Sequence, residues 1–100
     1  MSNKIILDPL AKLDIEDNID WYEQQQPGLG SRFYEHIKET FRLIQQTPSS
    51  FPVKYKKTRA VPVKTFPFTI HYLIDKKNKT VAVLSVFKTP QDPGKWKKRT

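Results

Sequence analysis

Apolar positions along the chain change period twice, and each period names an element. Lys4-Ile5-Ile6-Leu7 is a short apolar run that predicts a first strand. Asp8-Pro9 follows, pairing a helix-capping side chain with a residue suited to the first helical position. Leu13, Ile15, Ile19 and Tyr22 then form a stripe that predicts a helix to about Gln25. Asp14, Glu16, Asp17, Asp20 and Glu23 make its polar side, with several acids near the N-terminus where the helix dipole favours them. Gln26-Pro27-Gly28-Leu29-Gly30 breaks the pattern and Ser31 opens the next helix. Phe33, Ile37, Phe41 and Ile44 carry that helix to about Gln46 on one apolar stripe. So short a turn predicts an antiparallel helix hairpin.

After the loop Thr47-Pro48-Ser49-Ser50-Phe51-Pro52 the period falls to two. Residues 55–61 read as one strand with cations on both faces, and Pro62 confines its later part to an edge or a bulge. Phe68, Ile70, Tyr72 and Ile74 alternate with Thr69, His71 and Leu73 in a further strand, which Lys76-Lys77-Asn78-Lys79 joins by a hairpin to the last. That last strand, residues 81–87, is the longest nearly unbroken apolar run. Val81, Val83 and Phe87 fall on one face and Ala82, Leu84 and Val86 on the other, which predicts an interior strand covered on both sides. The order β-α-α-β-β-β predicts one α+β domain over residues 1–100, its helix hairpin packed on a mostly antiparallel four-stranded sheet.

Charge adds a direction to this picture. Residues 1–53 hold five Lys/Arg against eight Asp/Glu, whereas residues 54–100 hold thirteen against two. A C-terminal half of net +11 is suited to a polyanion or an acidic protein segment, or else forms a solubilising surface. The chain has no cysteine, which excludes disulfides and thiolate metal sites. No stretch approaches the length of a membrane span, and Ile5-Ile6-Leu7 is too short for a signal-peptide core. A soluble cytoplasmic protein is expected, with no membrane partner, metal or cofactor. The acids of the first helix read as a solvated face. Gly28-Leu29-Gly30 follows a helix instead of a strand and lacks the Lys-Ser/Thr ending of a phosphate loop. His36 reads as a boundary or surface residue and His71 as a sheet-face residue.

Five segments in order carry a family resemblance. They are Trp21-Tyr22-Glu23, Pro27-Gly28-Leu29-Gly30-Ser31-Arg32-Phe33, the loop at residues 47–52, Phe66-Pro67-Phe68-Thr69-Ile70-His71-Tyr72, and the ending from Val86-Phe87-Lys88 through Pro90-Gln91-Asp92-Pro93-Gly94-Lys95-Trp96. Together they resemble the RelE/ParE superfamily of type II toxin–antitoxin toxins, most closely its ParE-like, plasmid-stabilisation branch. The resemblance implies a small toxin held inactive by a cognate antitoxin. ParE-like members poison DNA gyrase, RelE-like members cut messenger RNA on the ribosome, and some relatives show no toxicity.

For RNA cleavage a base must take the 2′ proton, cations must stabilise the phosphorane and an acid must protonate the leaving oxygen. The resemblance assigns those tasks to clustered cations, here Lys54, Lys56, Arg59 and Lys88, with His71 as an alternative acid or base. Lys57, Lys64, Gln91, Trp96, Lys97, Lys98 and Arg99 would contact an anion or a partner, and Trp96 would either staple the tail or stack on a base. Many ribonuclease-type relatives carry His and Arg where this chain has Lys88 and Gln91, and a C-terminal Tyr that this chain lacks. These departures favour a protein target such as gyrase. A ribosome-dependent endoribonuclease is the alternative, and a non-toxic antitoxin-binding or RNA-binding domain the second.

Overall fold

The computed structural model describes residues 3–88, so Gln91, Trp96, Lys97, Lys98 and Arg99 lie outside the described residues. Its elements are β1 (Lys4–Leu7), α1 (Pro9–Gln25), α2 (Leu29–Gln46), a single 3-10 turn (Pro48–Ser50), β2 (Val53–Tyr55), β3 (Thr58–Pro62), β4 (Phe68–Asp75) and β5 (Thr80–Lys88). The five strands form one sheet in the order β1-β5-β4-β3-β2. β1 runs parallel to β5 and the other pairs are antiparallel. The helix hairpin lies on one face.

The helix starts follow from local chemistry. Asp8 Oδ1 accepts a 2.9 Å hydrogen bond from the Leu10 N–H, with Pro9 next in sequence, as a capped helix start requires. α2 starts at Leu29, two residues before the expected Ser31, because Gly28 stands before it at φ 88°. That left-handed conformation costs glycine little. Glu23 of α1 reaches across the turn and accepts from the Gly28 N–H at 2.9 Å and the Gly30 N–H at 3.0 Å. One carboxylate thus satisfies two of the donors that a helix start leaves open. A Cβ at Gly30 would sit 2.5 Å from the Ile19 carbonyl oxygen, so the two helices approach as closely as a bare backbone allows.

The core is built between the hairpin and the near face of the sheet. Ala11, Ile15 and Tyr22 from α1 meet Phe33, Ile37 and Ile44 from α2 over Phe68, Ile70 and Tyr72 of β4 and Val81, Val83 and Val86 of β5. At about 1.5–3 kcal/mol for each fully buried large apolar side chain, this layer is the main driving force for the hairpin's docking. Tyr22, Phe33, Phe66 and Phe68 form an aromatic cluster with ring centroids 5.0–6.2 Å apart. Leu13, expected in the core stripe, is 53% exposed. At 100° per residue it lies nearly opposite Ala11, Ile15 and Tyr22 on the helix wheel, and those three dock.

Two strand expectations are corrected. Residues 55–61 are not one strand: Lys56 and Lys57 turn the chain, with Lys56 at φ 51°, and split the segment into β2 and β3. The sheet therefore has five strands instead of four within the same α+β class. No Gly or Asn marks this turn, so the sequence carries no ordinary signal for it. The second correction concerns β5. Tyr72 pairs with Val83 but His71 pairs with Ser85, leaving Leu84 as an extra residue in a bulge. The bulge moves Val86 to the helix face beside Val81 and Val83, and moves Phe87, 47% exposed, to the other face. β5 is interior within the sheet, but among the described residues only its helix-side face is covered.

Candidate functional site

The expected cations occupy separate places on this frame. Lys54, Lys56 and Lys57 are exposed on the β2–β3 hairpin, at the edge farthest from β1, with the Lys56 Nζ 5.5 Å from the Tyr55 ring centroid. Lys64 is exposed in the connection from β3 to β4. Lys88 ends β5 opposite Phe68, which places it on the helix side, and its Nζ lies 5.7 Å from the centroid of the Trp21 ring of α1. Lys54 lies three strand spacings from β5 and four to five residues along the strands from the level of Lys88, on the order of 20 Å between backbones. The fold therefore gathers Lys54, Lys56 and Lys57 at one tip and sets Lys88 apart.

Arg59 is committed to the loop before β2. Its Nη1 donates to the Phe51 carbonyl at 2.6 Å and to the Ser49 carbonyl at 3.1 Å. Its partner across the sheet, Tyr72, is buried and donates its hydroxyl to the Pro48 carbonyl at 2.5 Å. Burial raises the Tyr72 pKa, and the Arg59 charge offsets part of that rise. Residues 48–51 are thus held by three side-chain donations to carbonyls that no ladder serves.

His71 lies on the face away from the helices. Its ring centroid is 4.5 Å from that of Phe87, and partial burial lowers its pKa below the ordinary 6.5, favouring the neutral imidazole. Ala60 and Ser85 are its cross-strand partners, so no carboxylate or cation flanks it within its ladder. Ile6, Leu73, Ala82 and Phe87 share this face, half-buried or exposed, and form an apolar patch with His71 at its centre. His36, expected at a boundary or surface, is half-buried in α2 with its ring 5.4 Å from Phe66. Its Nδ1 is buried without a hydrogen-bond partner among the described residues.

Sequence reasoning missed the pairing of Lys88 with Trp21 and the clamp of Arg59 and Tyr72 on the loop. Neither has a sequence signal, because each joins residues far apart in the chain. The Glu23 cap was within reach: an acid five residues before one glycine and seven before another, across a two-helix turn, is placed to accept from both. Among the described residues, no cluster of three or more His, Asp or Glu side chains is placed to hold a metal ion, and no helix is long and apolar enough to cross a membrane.

What the chain resembles follows from this geometry. The fold superposes on the chromosomal ParDE toxin–antitoxin system of P. aeruginosa with a TM-score of 0.77 at 16% identity, covering 89% of this chain and 98% of that one. It superposes on the isolated E. coli RelE toxin with a TM-score of 0.71 at 14% identity, covering 98% and 96%. The toxin–antitoxin complex RelBE of E. coli gives 0.70 at 15% identity, covering 90% and 100%. No curated protein sequence matches significantly. The family profile of the ParE toxin of type II toxin–antitoxin systems matches residues 5–93, and the chain therefore belongs to the ParE toxin family.

Proposed function

We propose that this chain is a cytoplasmic toxin that acts by binding a protein target of the DNA gyrase type and is neutralised by an antitoxin covering the open face of its sheet. The observation that carries the reading is the dispersal of the cations. General acid–base cleavage of RNA needs a base, an acid and phosphate-stabilising cations within hydrogen-bond reach of one scissile group. The backbones of Lys88 and Lys54 are on the order of 20 Å apart. The Arg59 Nη1 is spent on two carbonyls, and His71 lies on the opposite face from Lys88. What remains is a basic hairpin, a basic strand end against an exposed indole, and an apolar sheet face. Those features suit protein recognition, where Trp and cationic side chains act as anchors.

The apolar face supports the antitoxin part of the reading. Ile6 is 49% exposed and Phe87 47%, on the sheet face that the helices do not cover. A partner chain laid over that face would remove both from water, and a family built as toxin–antitoxin pairs supplies such a partner.

Induced expression of the chain in a bacterial host tests the proposal. Growth should stop, with DNA synthesis lost before protein synthesis, and co-expression of the antitoxin should restore growth. Early loss of translation with cut messages would favour the ribonuclease reading, and undisturbed growth would refute a toxin of either kind.

A further inference from the structure

Two hairpins and the start of β1 meet at one end of the sheet, the end opposite Lys88. Lys4 pairs with Thr80 in the parallel ladder, and Asp75 at the end of β4 pairs with the same Thr80. Arg59 pairs with Tyr72, so the turn before β3 continues toward that end of β4. This β2–β3 turn brings Lys56 and Lys57, with Lys54 on the strand that leads into it. The β4–β5 turn brings Lys76, Lys77 and Lys79, and β1 adds Lys4. In the order β1-β5-β4-β3-β2, four strand spacings set the backbones of the outer strands about 19 Å apart.

All seven lysines are exposed, and none has an ion-pair partner among the described residues. Asp75 is the one acid in the two hairpins, and its carboxylate is turned onto Asn78. It accepts from the Asn78 backbone N–H at 3.1 Å and from its Nδ2 at 2.8 Å. Residues 40–74 hold no Asp or Glu. On the helix side α2 reaches this end with the uncharged Gln45 and Gln46, where the Asn3 N–H donates to the Gln45 carbonyl at 3.2 Å. Backbone conformation adds an independent observation. Lys56 and Lys79 stand at φ 51° and 52°, one in each turn. Glycine takes that left-handed conformation freely and a side chain strains it. Each turn therefore holds a lysine where its backbone does not favour one.

We infer that this lysine rim binds the phosphate backbone of duplex DNA without reading its bases. A duplex carries about one negative charge per 1.7 Å of axis, so a rim about 19 Å wide meets several phosphates at once. Ammonium groups serve there as point charges. Binding a single strand calls for aromatic side chains on which bases stack. Residues 53–57 and 75–80 hold one aromatic, Tyr55, and the Lys56 Nζ already lies 5.5 Å from its ring centroid. The choice of DNA over duplex RNA rests on the protein-target reading, because a target of the gyrase type is met on DNA. Trp21 and Lys88 lie toward the other end of the sheet, so the DNA contact and that protein contact do not compete for one surface.

The test measures binding of the purified full chain to a labelled DNA duplex of mixed sequence, and to the same duplex in RNA, between about 50 and 200 mM salt. Two double variants with equal change of net charge are compared: Lys57→Gln, Lys77→Gln on the rim and Lys12→Gln, Lys38→Gln on the helices. Both are checked for an unchanged melting temperature. The inference expects the parent to bind DNA with an affinity that falls steeply with salt. It expects the rim variant to bind about tenfold or more weakly and to lower the salt slope by about two, and the helix variant to do neither. No binding of the duplex at the lowest salt overturns the inference, as does an equal loss in the two variants. Duplex RNA bound at least tenfold more tightly than DNA overturns it in favour of an RNA partner. Supercoiling by gyrase is read in parallel. Inhibition without duplex binding overturns the inference and leaves the protein-target reading standing, whereas rim-dependent duplex binding without inhibition supports the DNA contact and overturns that reading.

Discussion

Lys88 ends β5 with its ammonium 5.7 Å from the centroid of Trp21, on the helix side of the sheet, while Lys54 stands on the far edge strand. The relationship gives the strand-end cation an aromatic neighbour and not a proton acceptor. An ammonium over an exposed indole contributes about 0.5–1 kcal/mol. It also presents a flat aromatic surface with a charge above it.

The first prediction follows from this separation. Changing Lys54, Lys56 and Lys88 together to Ala removes the cations that RNA cleavage would require. All three are exposed, so stability should change by no more than about 0.5 kcal/mol at Lys54 and Lys56, and by up to about 1 kcal/mol at Lys88, where the contact with Trp21 is lost. Purified triple variant should cut no less ribosome-bound message than the parent, because neither cuts any. A ribonuclease activity in the parent that the variant lacks would contradict the separation argued from the sheet order.

The helix hairpin offers a sharper test of the fold. Gly30→Ala places a Cβ 2.5 Å from the Ile19 carbonyl oxygen, a backbone atom that cannot move without shifting α1. We expect a loss of about 1–3 kcal/mol in denaturant unfolding. Glu23→Ala, which frees two N–H donors at the start of α2, should cost about 1–2 kcal/mol.

Loop 48–51 is predicted to depend on Tyr72 and Arg59. Tyr72→Phe removes the hydroxyl that serves the Pro48 carbonyl and should cost about 0.5–1.5 kcal/mol. Arg59→Ala removes a charged donor from two carbonyls and should cost about 1.5–3 kcal/mol. Both variants should raise amide exchange or proteolytic cleavage around the loop while leaving the α1–α2 hairpin unchanged. Loss of toxicity without any change in the loop would assign Arg59 to the chemistry instead.

His71 sets a pH dependence. Its folded pKa is depressed by burial below the unfolded value of 6.5, so the unfolded chain binds the proton more readily. Its contribution to stability is complete above pH 6.5 and is lost as pH falls through the folded pKa. Melting temperatures between pH 7.5 and pH 5 should therefore fall more for the parent than for His71→Phe, which keeps a ring against Phe87. An equal fall in both would remove His71 as the cause.

Much of the fold is legible in the chain because its signals are local. β1, α1 and β4 follow from the runs at Lys4–Leu7, Pro9–Gln25 and Phe68–Asp75, where period and capping agree. The turn at Lys56-Lys57 and the bulge at Leu84 are not legible. Both are set by pairing with a neighbouring strand, and neither carries Gly, Asn or Asp to announce it. The bulge matters most, since it exchanges the faces of Val86 and Phe87. Without it Phe87 reads as core, and the open apolar face around His71 disappears from view.

The resemblance motifs belong to the fold more than to the target. Tyr22, Phe33, Phe66 and Phe68 form one aromatic cluster, Glu23 and Gly30 lock the hairpin, and Tyr72 pins the loop. Their contacts hold the architecture together and say nothing of what the architecture acts on. The cations at Lys54, Lys56, Lys57 and Lys88 lie outside those contacts. Their placement is a tertiary fact, fixed by a strand order that a linear reading does not contain.

The central claim is that this member of the ParE toxin family binds a protein target and does not cleave RNA. The most direct measurement adds the purified chain, with and without its antitoxin, to DNA gyrase acting on relaxed plasmid, and in parallel to translating ribosomes with a defined message. The account predicts inhibited supercoiling with accumulation of cleaved plasmid, reversal by the antitoxin, and an intact message. Unimpaired supercoiling together with a message cut on the ribosome would contradict it.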